Sequence, residues 1–124
     1  MVGERALLEA LMEGEGNGAN ETYPLGSENV TIGSAQDDVH LCVADRSISS
    51  LHARIRRRNG EYWLYDEGSE RGTFLNHERL GLAPKQLRDG DEIQLGRVRL
   101  RFRVVRERDK VAHVGREGEL DPDA

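Results

Sequence analysis

The sequence has few of the residues that build disulfides or membrane spans. Its 124 residues include one cysteine, Cys42, which excludes an internal disulfide and favours a reducing, cytoplasmic location. No apolar run approaches the roughly 20 residues of a membrane helix. The acidic N-terminus is unlike a secretory signal. We therefore expect no membrane contact by this segment.

Catalytic and metal-binding patterns are also missing. The four histidines, at positions 40, 52, 77 and 113, lack the short spacings of metal sites. No nucleophile elbow or nucleophile–base pair is present. Glycines in residues 14–19 match a dinucleotide-binding spacing, but Pro24 opposes the helix that would hold a pyrophosphate. We expect no catalytic residue, no metal and no cofactor.

The charge of the chain is concentrated at its ends. Hydrophobic residues make up 36% and charged residues 33%, which is enough for one modest core. The net charge of −5 divides into −4 for residues 1–22, −2 for residues 106–124 and +1 for the body between them. A nearly neutral body argues against a general nucleic-acid binder.

The body has the period of β-strands. Residues 97–104 alternate between arginine and apolar side chains, so that one face is apolar and the other is charged. Asn59-Gly60 lies between the runs 53–58 and 61–65, which predicts a hairpin. Shorter strand-like runs, separated by turn residues, occupy 30–32, 39–43, 73–75 and 92–95. This pattern predicts an all-β sandwich or barrel without long helices.

The ends of the chain are less clear. Residues 6–12 favour a helix by local propensity, but we interpret them as an opening strand because the rest of the chain is β. Residues 1–5 form an N-terminal extension, and the domain covers residues 6–105. Residues 106–124 lack apolar periodicity, so we expect a flexible tail whose removal leaves stability nearly unchanged.

Two rows of arginines could form a basic face for nucleic acid. They lie at positions 54, 56 and 58 and at positions 97, 99, 101 and 103. Aromatic residues are only 5% of the chain and do not alternate with these arginines, so we expect no stacking platform. Both rows are interpreted as solvated outer faces. The acid pairs at 37–38 and 66–67 are interpreted in the same way, as solvated turn residues.

The loops beside the hairpin carry the strongest functional signal. Residues 49–52 precede its first strand and residues 68–73 follow its second, so both segments lie at its open end. Hydroxyls and loop amides gather there with the cation Arg71; the hydroxyls belong to Ser49, Ser50, Ser69 and Thr73. These groups suit a non-covalent anion site. The alternative is that the Gly-Ser and Gly-Thr pairs only form turns.

At these residues the sequence resembles the forkhead-associated (FHA) domain family. The matching segments, in family order, are Ile32-Gly33, Ser49-Ser50-Leu51-His52, Gly68-Ser69-Glu70-Arg71-Gly72-Thr73 with Asn76, Asp89-Gly90-Asp91 and Leu95-Gly96. The resemblance implies an all-β, FHA-like sandwich of about 11 strands whose apical loops bind phosphothreonine peptides. It implies no enzyme activity and no cofactor.

The resemblance also implies roles for individual residues. Ser49 matches a serine that holds the phosphate, and His52 matches a histidine that braces its loop. Thr73 and Asn76 match positions that shape the second recognition loop. The implied loop-structural residues are Gly33, His52, Gly68, Gly72, Thr73 and Asn76.

Three departures fall where the family binds its ligand. Ser34 replaces the Gly-Arg arginine that holds the phosphate, Arg71 replaces an asparagine that holds the peptide, and Ser50 replaces a basic residue. We therefore predict a non-catalytic protein-interaction module whose phosphothreonine binding is weakened or lost. The alternative is a functional binder in which Arg71 or Arg46 substitutes for the missing arginine.

The expected partner is another protein, with a phosphothreonine-containing segment as the form that the family implies. The chain is expected to be one part of a larger polypeptide. Nucleic-acid binding through the arginine faces is the remote alternative. The candidate binding residues are Ser34, Arg46, Ser49, Ser50, Ser69 and Arg71.

Overall fold

The computed structural model describes residues 4–11 and 21–106, which form eleven β-strands and no helix. The strands are β1 (Glu4–Ala10), β2 (Thr22–Pro24), β3 (Asn29–Gly33), β4 (Leu41–Cys42), β5 (Ala53–Arg58), β6 (Glu61–Asp66), β7 (Thr73–Leu75), β8 (Glu78–Arg79), β9 (Lys85–Leu87), β10 (Glu92–Leu95) and β11 (Val98–Arg106). No helix long and apolar enough to cross a bilayer occurs within these two ranges.

The strands form two sheets. One has six strands in the order β2-β1-β11-β10-β7-β8, and the other has five in the order β4-β3-β5-β6-β9. Neighbouring strands pair antiparallel, except that β4 lies parallel to β3. The all-β class and the expected number of strands are confirmed.

The first strand shows tertiary context overriding helical propensity. Ala6, Leu8 and Ala10 are buried, whereas the residues between them are more exposed. The strand pairs with β11 over all seven residues, Glu4 through Ala10, so its backbone is satisfied in the sheet. It begins at Glu4, inside the predicted extension. The predicted tail beyond Arg106 lies outside the described residues.

The core lies between the inner faces of the two sheets. Alternate residues of the long strands point into it, as the period-two pattern predicts. Leu8, Ile32, Leu64 and Leu100 are fully buried. The rings of Tyr62 and Phe102 pack with their centroids 5.2 Å apart and tilted by 59°, which is an arrangement that aromatic pairs favour.

The β5–β6 hairpin forms where the sequence predicts it. Asn59 and Gly60 have φ values of 53° and 79°, as a type I′ turn requires. The paired residues run from Arg58 with Glu61 beside the turn to Ala53 with Asp66 at the open end. This register fixes which loops meet at the open end.

Three short strands escape the sequence analysis. They are β2, β8 and β9, with three, two and three residues. Such segments are too short to display a period of two, and they form only because longer strands offer them an edge. Of the three residues in β9, only Leu87 is buried.

Three arginines on the outer face of β11 have polar partners. Arg99 Nε donates to Glu92 at 2.8 Å, and Arg103 Nε donates to Asp89 at 3.2 Å. Arg101 donates to the Gly90 carbonyl oxygen at 2.9 Å. These partners support the interpretation of this row as a solvated outer face.

Candidate functional site

Two loops meet at the open end of the β5–β6 hairpin. Ser49 belongs to the loop before β5, and Glu70 belongs to the loop after β6. The Glu70 backbone amide donates to the Ser49 hydroxyl oxygen at 3.0 Å, which joins the two loops directly. The Ser49 hydroxyl proton forms no hydrogen bond with the described part of the chain, so it is available to a ligand oxygen.

His52 joins the two loops through hydrogen bonds to the backbone of each. Its side chain is fully buried, and the Ser49 amide donates to its Nδ1 at 3.1 Å. Because a backbone amide can only donate, Nδ1 must be the acceptor nitrogen. Nε2 therefore carries the proton and donates to the Gly72 carbonyl oxygen at 2.9 Å. The ring fixes each loop through its backbone, and its full burial leaves no ring atom exposed to solvent.

His52→Ala should reduce the free energy of unfolding by about 2–3 kcal/mol, because it leaves a cavity and two unpaired backbone groups. Urea unfolding measures this loss. His40→Ala is the matched control: His40 is exposed and contacts Thr31, so its loss should cost less than about 1 kcal/mol. If His52→Ala abolished ligand binding while stability held, His52 would be a direct ligand contact instead.

Asp66 organises the second loop. Its carboxylate accepts from the Ser69 and Thr73 hydroxyls, both at 2.6 Å, and from the Gly68 and Ser69 amides at 3.2 and 3.3 Å. Partial burial opposes ionisation, but these hydrogen bonds outweigh it and hold the pKa of Asp66 below its ordinary value. The interpretation of Asp66 as a solvated turn residue is therefore wrong.

The remaining loop positions have specific tasks. Ser69 Oγ also accepts from the Gly72 amide at 3.0 Å, and the Thr73 side chain is fully buried. Gly68 and Gly72 have φ values of 73° and 95°, which favour glycine. Asn76 lies at the β7–β8 turn, where its side chain bonds Asp91 and the Glu92 amide. It thus stabilises a turn at the start of β10.

Gly33 and Ser34 bring a third segment beside the Ser49 loop. A Cβ atom at Gly33 would collide with the Ser50 carbonyl oxygen, so only glycine allows this approach. The Ser34 amide donates to the Ser49 carbonyl oxygen at 3.0 Å. Ser34 is half-buried, and Ser50 is exposed. Ser34 thus neighbours the Ser49 loop but supplies no positive charge.

Arg46 and Arg71 line one cavity. Its volume is about 560 Å³, and its lining residues are Arg46, Ser47, Arg71, Phe74, Gln94, Gly96 and Arg97. No acidic side chain lines it, and Ser49 is not part of its wall. The side chains of Arg46 and Arg71 form no hydrogen bond or ion pair within residues 4–11 and 21–106. The cavity is therefore an electropositive recess, and the loops before β5 and after β6 both contribute to its walls.

A set of hydrogen bonds fixes one wall of this cavity. Asp45 accepts from the Ser47 amide at 2.9 Å and hydroxyl at 2.8 Å, and from Arg97 Nε at 3.1 Å. Ser47 Oγ also accepts from the Arg97 amide at 3.0 Å. No local pattern in the sequence indicates this role for Asp45 and Ser47, because their partner Arg97 lies about 50 positions away. These hydrogen bonds anchor both neighbours of Arg46.

The bonds from the Ser47 amide and hydroxyl, followed by the one from Arg97, lower the pKa of Asp45 to about 2. This carboxylate therefore stabilises the fold fully above its ordinary pKa of 3.8, and the contribution is lost as the pH falls through about 2. The Asp45→Asn variant should lie below wild type in melting temperature near neutral pH and converge with it near pH 2. Thermal melts across this range measure the difference. If the difference in melting temperature between the two proteins did not narrow towards pH 2, the lowered pKa of Asp45 would be contradicted.

The other polar clusters give no sign of a metal site. No group of three or more His, Cys, Asp or Glu side chains could hold a metal ion in the part of the chain that the structure describes. His40 Nδ1 instead bonds the Thr31 side chain at 2.9 Å.

Comparisons with known proteins point to one family. A family model for the FHA domain matches residues 30–96. The oxoglutarate dehydrogenase inhibitor of Corynebacterium jeikeium is 36% identical over 90 residues, covering 70% of this chain and 58% of that protein. The glycogen accumulation regulator GarA of Mycobacterium tuberculosis is 36% identical over 73 residues, covering 59% of this chain and 44% of GarA. The chain thus spans only part of the length of both relatives.

A solved structure also has the same fold as this chain. It comes from a structural and functional analysis of phosphothreonine-dependent FHA domain interactions. It superposes with a TM-score of 0.67 at 29% identity, covering 80% of this chain and 95% of that one.

Proposed function

The chain belongs to the FHA domain family, and we propose that it binds segments of partner proteins through the loops around Ser49 and Arg71. The observation that carries the proposal is the Ser49 hydroxyl, whose oxygen is fixed by the Glu70 amide and whose proton is left for a ligand. Recognition of this kind needs only hydrogen bonds and charge. The module therefore acts by binding and not by catalysis.

Phosphothreonine binding by this module is weakened. A phosphate carries close to two negative charges at neutral pH, and Ser34 replaces the arginine that the family places against it. A hydrogen bond to a charged group contributes roughly 1.5–3 kcal/mol. The missing guanidinium therefore lowers affinity by about 10- to 100-fold if nothing replaces it. If phosphothreonine binding is lost completely, the module serves as a scaffold domain.

One observation favours a second version of this function. Arg46 and Arg71 share an electropositive cavity, and neither guanidinium has a partner within the described residues. Unpaired guanidinium groups are suited to hold a phosphate or carboxylate in a bidentate geometry. In this version Arg71 or Arg46 substitutes for the missing arginine, and phosphothreonine binding persists.

A phosphothreonine peptide library with an unphosphorylated copy of each peptide tests the proposal. We expect a subset of peptides to bind only when phosphorylated, and Ser49→Ala to reduce their binding without unfolding the domain. Ser27→Ala, a matched change at an exposed serine outside these loops, should leave binding unchanged. Equal binding of both peptide forms would support a scaffold. Steeply salt-dependent binding of random duplex DNA would instead support the nucleic-acid alternative.

A further inference from the structure

The outer face of the five-stranded sheet carries a second surface with the properties of a binding site. We call it the back-face patch; its residues are Arg56, Arg58, Trp63, Tyr65 and Pro84. Trp63 and Tyr65 are outward-facing residues of β6, whereas Tyr62 and Leu64 point into the core. An outward Trp-Tyr pair is notable in a chain with so few aromatic residues.

Pairing of strands places these aromatic side chains among the arginines. Trp63 lies directly opposite Arg56, and Tyr65 lies opposite Arg54. Side chains that face each other across antiparallel strands are about 5 Å apart at Cβ. The expectation that aromatic residues do not alternate with these arginines is therefore wrong for this sheet. The two residue types do not alternate along one strand, but they face each other across the neighbouring strands β5 and β6.

A recess lies along the aromatic side of the patch. Its volume is about 290 Å³, and its walls are formed by Arg58, Asn59, Glu61, Trp63, Tyr65 and Pro84. The two rings and the proline supply apolar surface to these walls, and Arg58 and Glu61 supply charged groups. A recess of this size suits one apolar side chain of a partner better than a large ligand.

The charges around the recess are not balanced. Arg54 is neutralised by Glu67, with Nε to carboxylate oxygen at 2.9 Å. Arg56 and Arg58 are exposed, and neither side chain has a hydrogen bond or ion pair within residues 4–11 and 21–106. Two available guanidinium groups thus stand next to an aromatic recess whose wall also holds one carboxylate, that of Glu61, so the excess charge is positive.

We propose that the back-face patch binds an acidic, extended segment of a partner protein. One apolar side chain of the segment enters the recess between Trp63 and Tyr65, and neighbouring carboxylates pair with Arg56 and Arg58. Charge complementarity selects this occupant, since planar guanidinium groups bind carboxylates in a bidentate geometry. Aromatic anchors beside arginine are the combination that dominates binding energy in protein interfaces.

The same observations oppose nucleic acid as the occupant. In the back-face patch only two guanidinium groups lack a partner within residues 4–11 and 21–106, and Glu61, directly opposite Arg58 in the β5–β6 pair, lowers their net charge. A phosphate backbone needs several cations in a row, and the patch does not offer such a row. A peptide with one or two acids matches the available charge.

The patch is separate from the apical loops. Its recess includes Asn59 at the hairpin turn, whereas Ser49 lies at the hairpin's open end. The recess extends along the outer face of β6 as far as Tyr65, and it shares no lining residue with the apical loops. The proposal therefore does not depend on phosphopeptide binding, and one partner could engage both surfaces.

Trp63 provides the test, because it is the only tryptophan of the chain. The acidic peptide Gly-Asp-Leu-Glu-Pro-Gly, with one carboxylate for each guanidinium, should shift the Trp63 fluorescence emission in a saturable manner. The neutral counterpart Gly-Asn-Leu-Gln-Pro-Gly should bind at least about fivefold more weakly. The double variant Arg56→Gln/Arg58→Gln should lose a similar factor, with an unchanged melting temperature.

Arg5→Gln is the matched control, since it removes an exposed guanidinium from the other sheet and should not alter peptide binding. Equal binding of the acidic and neutral peptides, or no effect of the double variant, would overturn the proposal. Tighter binding of single-stranded oligothymidylate than of the acidic peptide would assign the patch to nucleic acid. If the Trp63 emission changed with protein concentration in the absence of any peptide, the back-face patch would be assigned to binding a second copy of the chain.

Discussion

Ser34→Arg is expected to raise the affinity for phosphothreonine peptides by about tenfold or more. The wild-type domain should bind them with a dissociation constant no tighter than about 10 micromolar, because Ser34 brings no charge and Ser49 offers one neutral hydrogen bond. The Ser34 amide is bonded to the Ser49 carbonyl oxygen, so a new guanidinium at this position starts beside the serine. Titration calorimetry with one phosphopeptide measures the change.

Arg71→Ala separates the two versions of the site. If Arg71 already replaces the missing arginine, its removal should abolish the residual binding, and Ser34→Arg should add little while Arg71 is present. If Arg71 has no such role, Ser34→Arg should raise the phosphopeptide affinity by the same factor whether residue 71 is arginine or alanine. Should neither substitution change phosphopeptide binding, the loops would not be a phosphate site, and the scaffold function would stand.

Much of the fold could be predicted because strong local signals coincide with long-range pairing. The alternation in residues 97–104 anticipates β11, and Asn59-Gly60 sets the β5–β6 register. Local signals are weaker in β1, whose helical propensity is overridden by pairing with β11. The short strands β8 and β9 depend almost wholly on their neighbours, so their own residues carry little information.

The sequence indicated which loops form the candidate site, but it did not indicate the hydrogen bonds that hold these loops in place. The hairpin brings Ser49 and the Gly68–Thr73 segment together, and both could be identified from motif spacing. Asp66 was misread because its role depends on partners that the turn geometry supplies. Asp45 was missed because its partner Arg97 is 52 positions away. Networks of this kind depend on tertiary structure, and sequence spacing does not encode them.

Asp66→Ala is expected to reduce the free energy of unfolding by about 3–4 kcal/mol. The carboxylate accepts four hydrogen bonds, from two hydroxyls and two backbone amides. Alanine would leave the buried Thr73 hydroxyl without this acceptor, and an unpaired buried polar group costs about 1–3 kcal/mol. Urea unfolding near neutral pH measures the loss. Asp66→Asn should cost less, since its amide oxygen can still accept from Ser69 and Thr73.

Glu67→Ala is the matched control for this prediction. Glu67 is the next residue along the chain, but its carboxylate forms a partly exposed ion pair with Arg54, so its loss should cost less than about 1 kcal/mol. The pKa of Asp66 is lowered in the folded state, so its stabilisation is present above the ordinary value of 3.8 and is lost as the pH falls below it. The difference between wild type and Asp66→Ala should therefore shrink in acid. If Asp66→Ala cost no more than Glu67→Ala at neutral pH, Asp66 would not organise the second loop, and the Ser69 and Thr73 hydroxyls would have to find other acceptors.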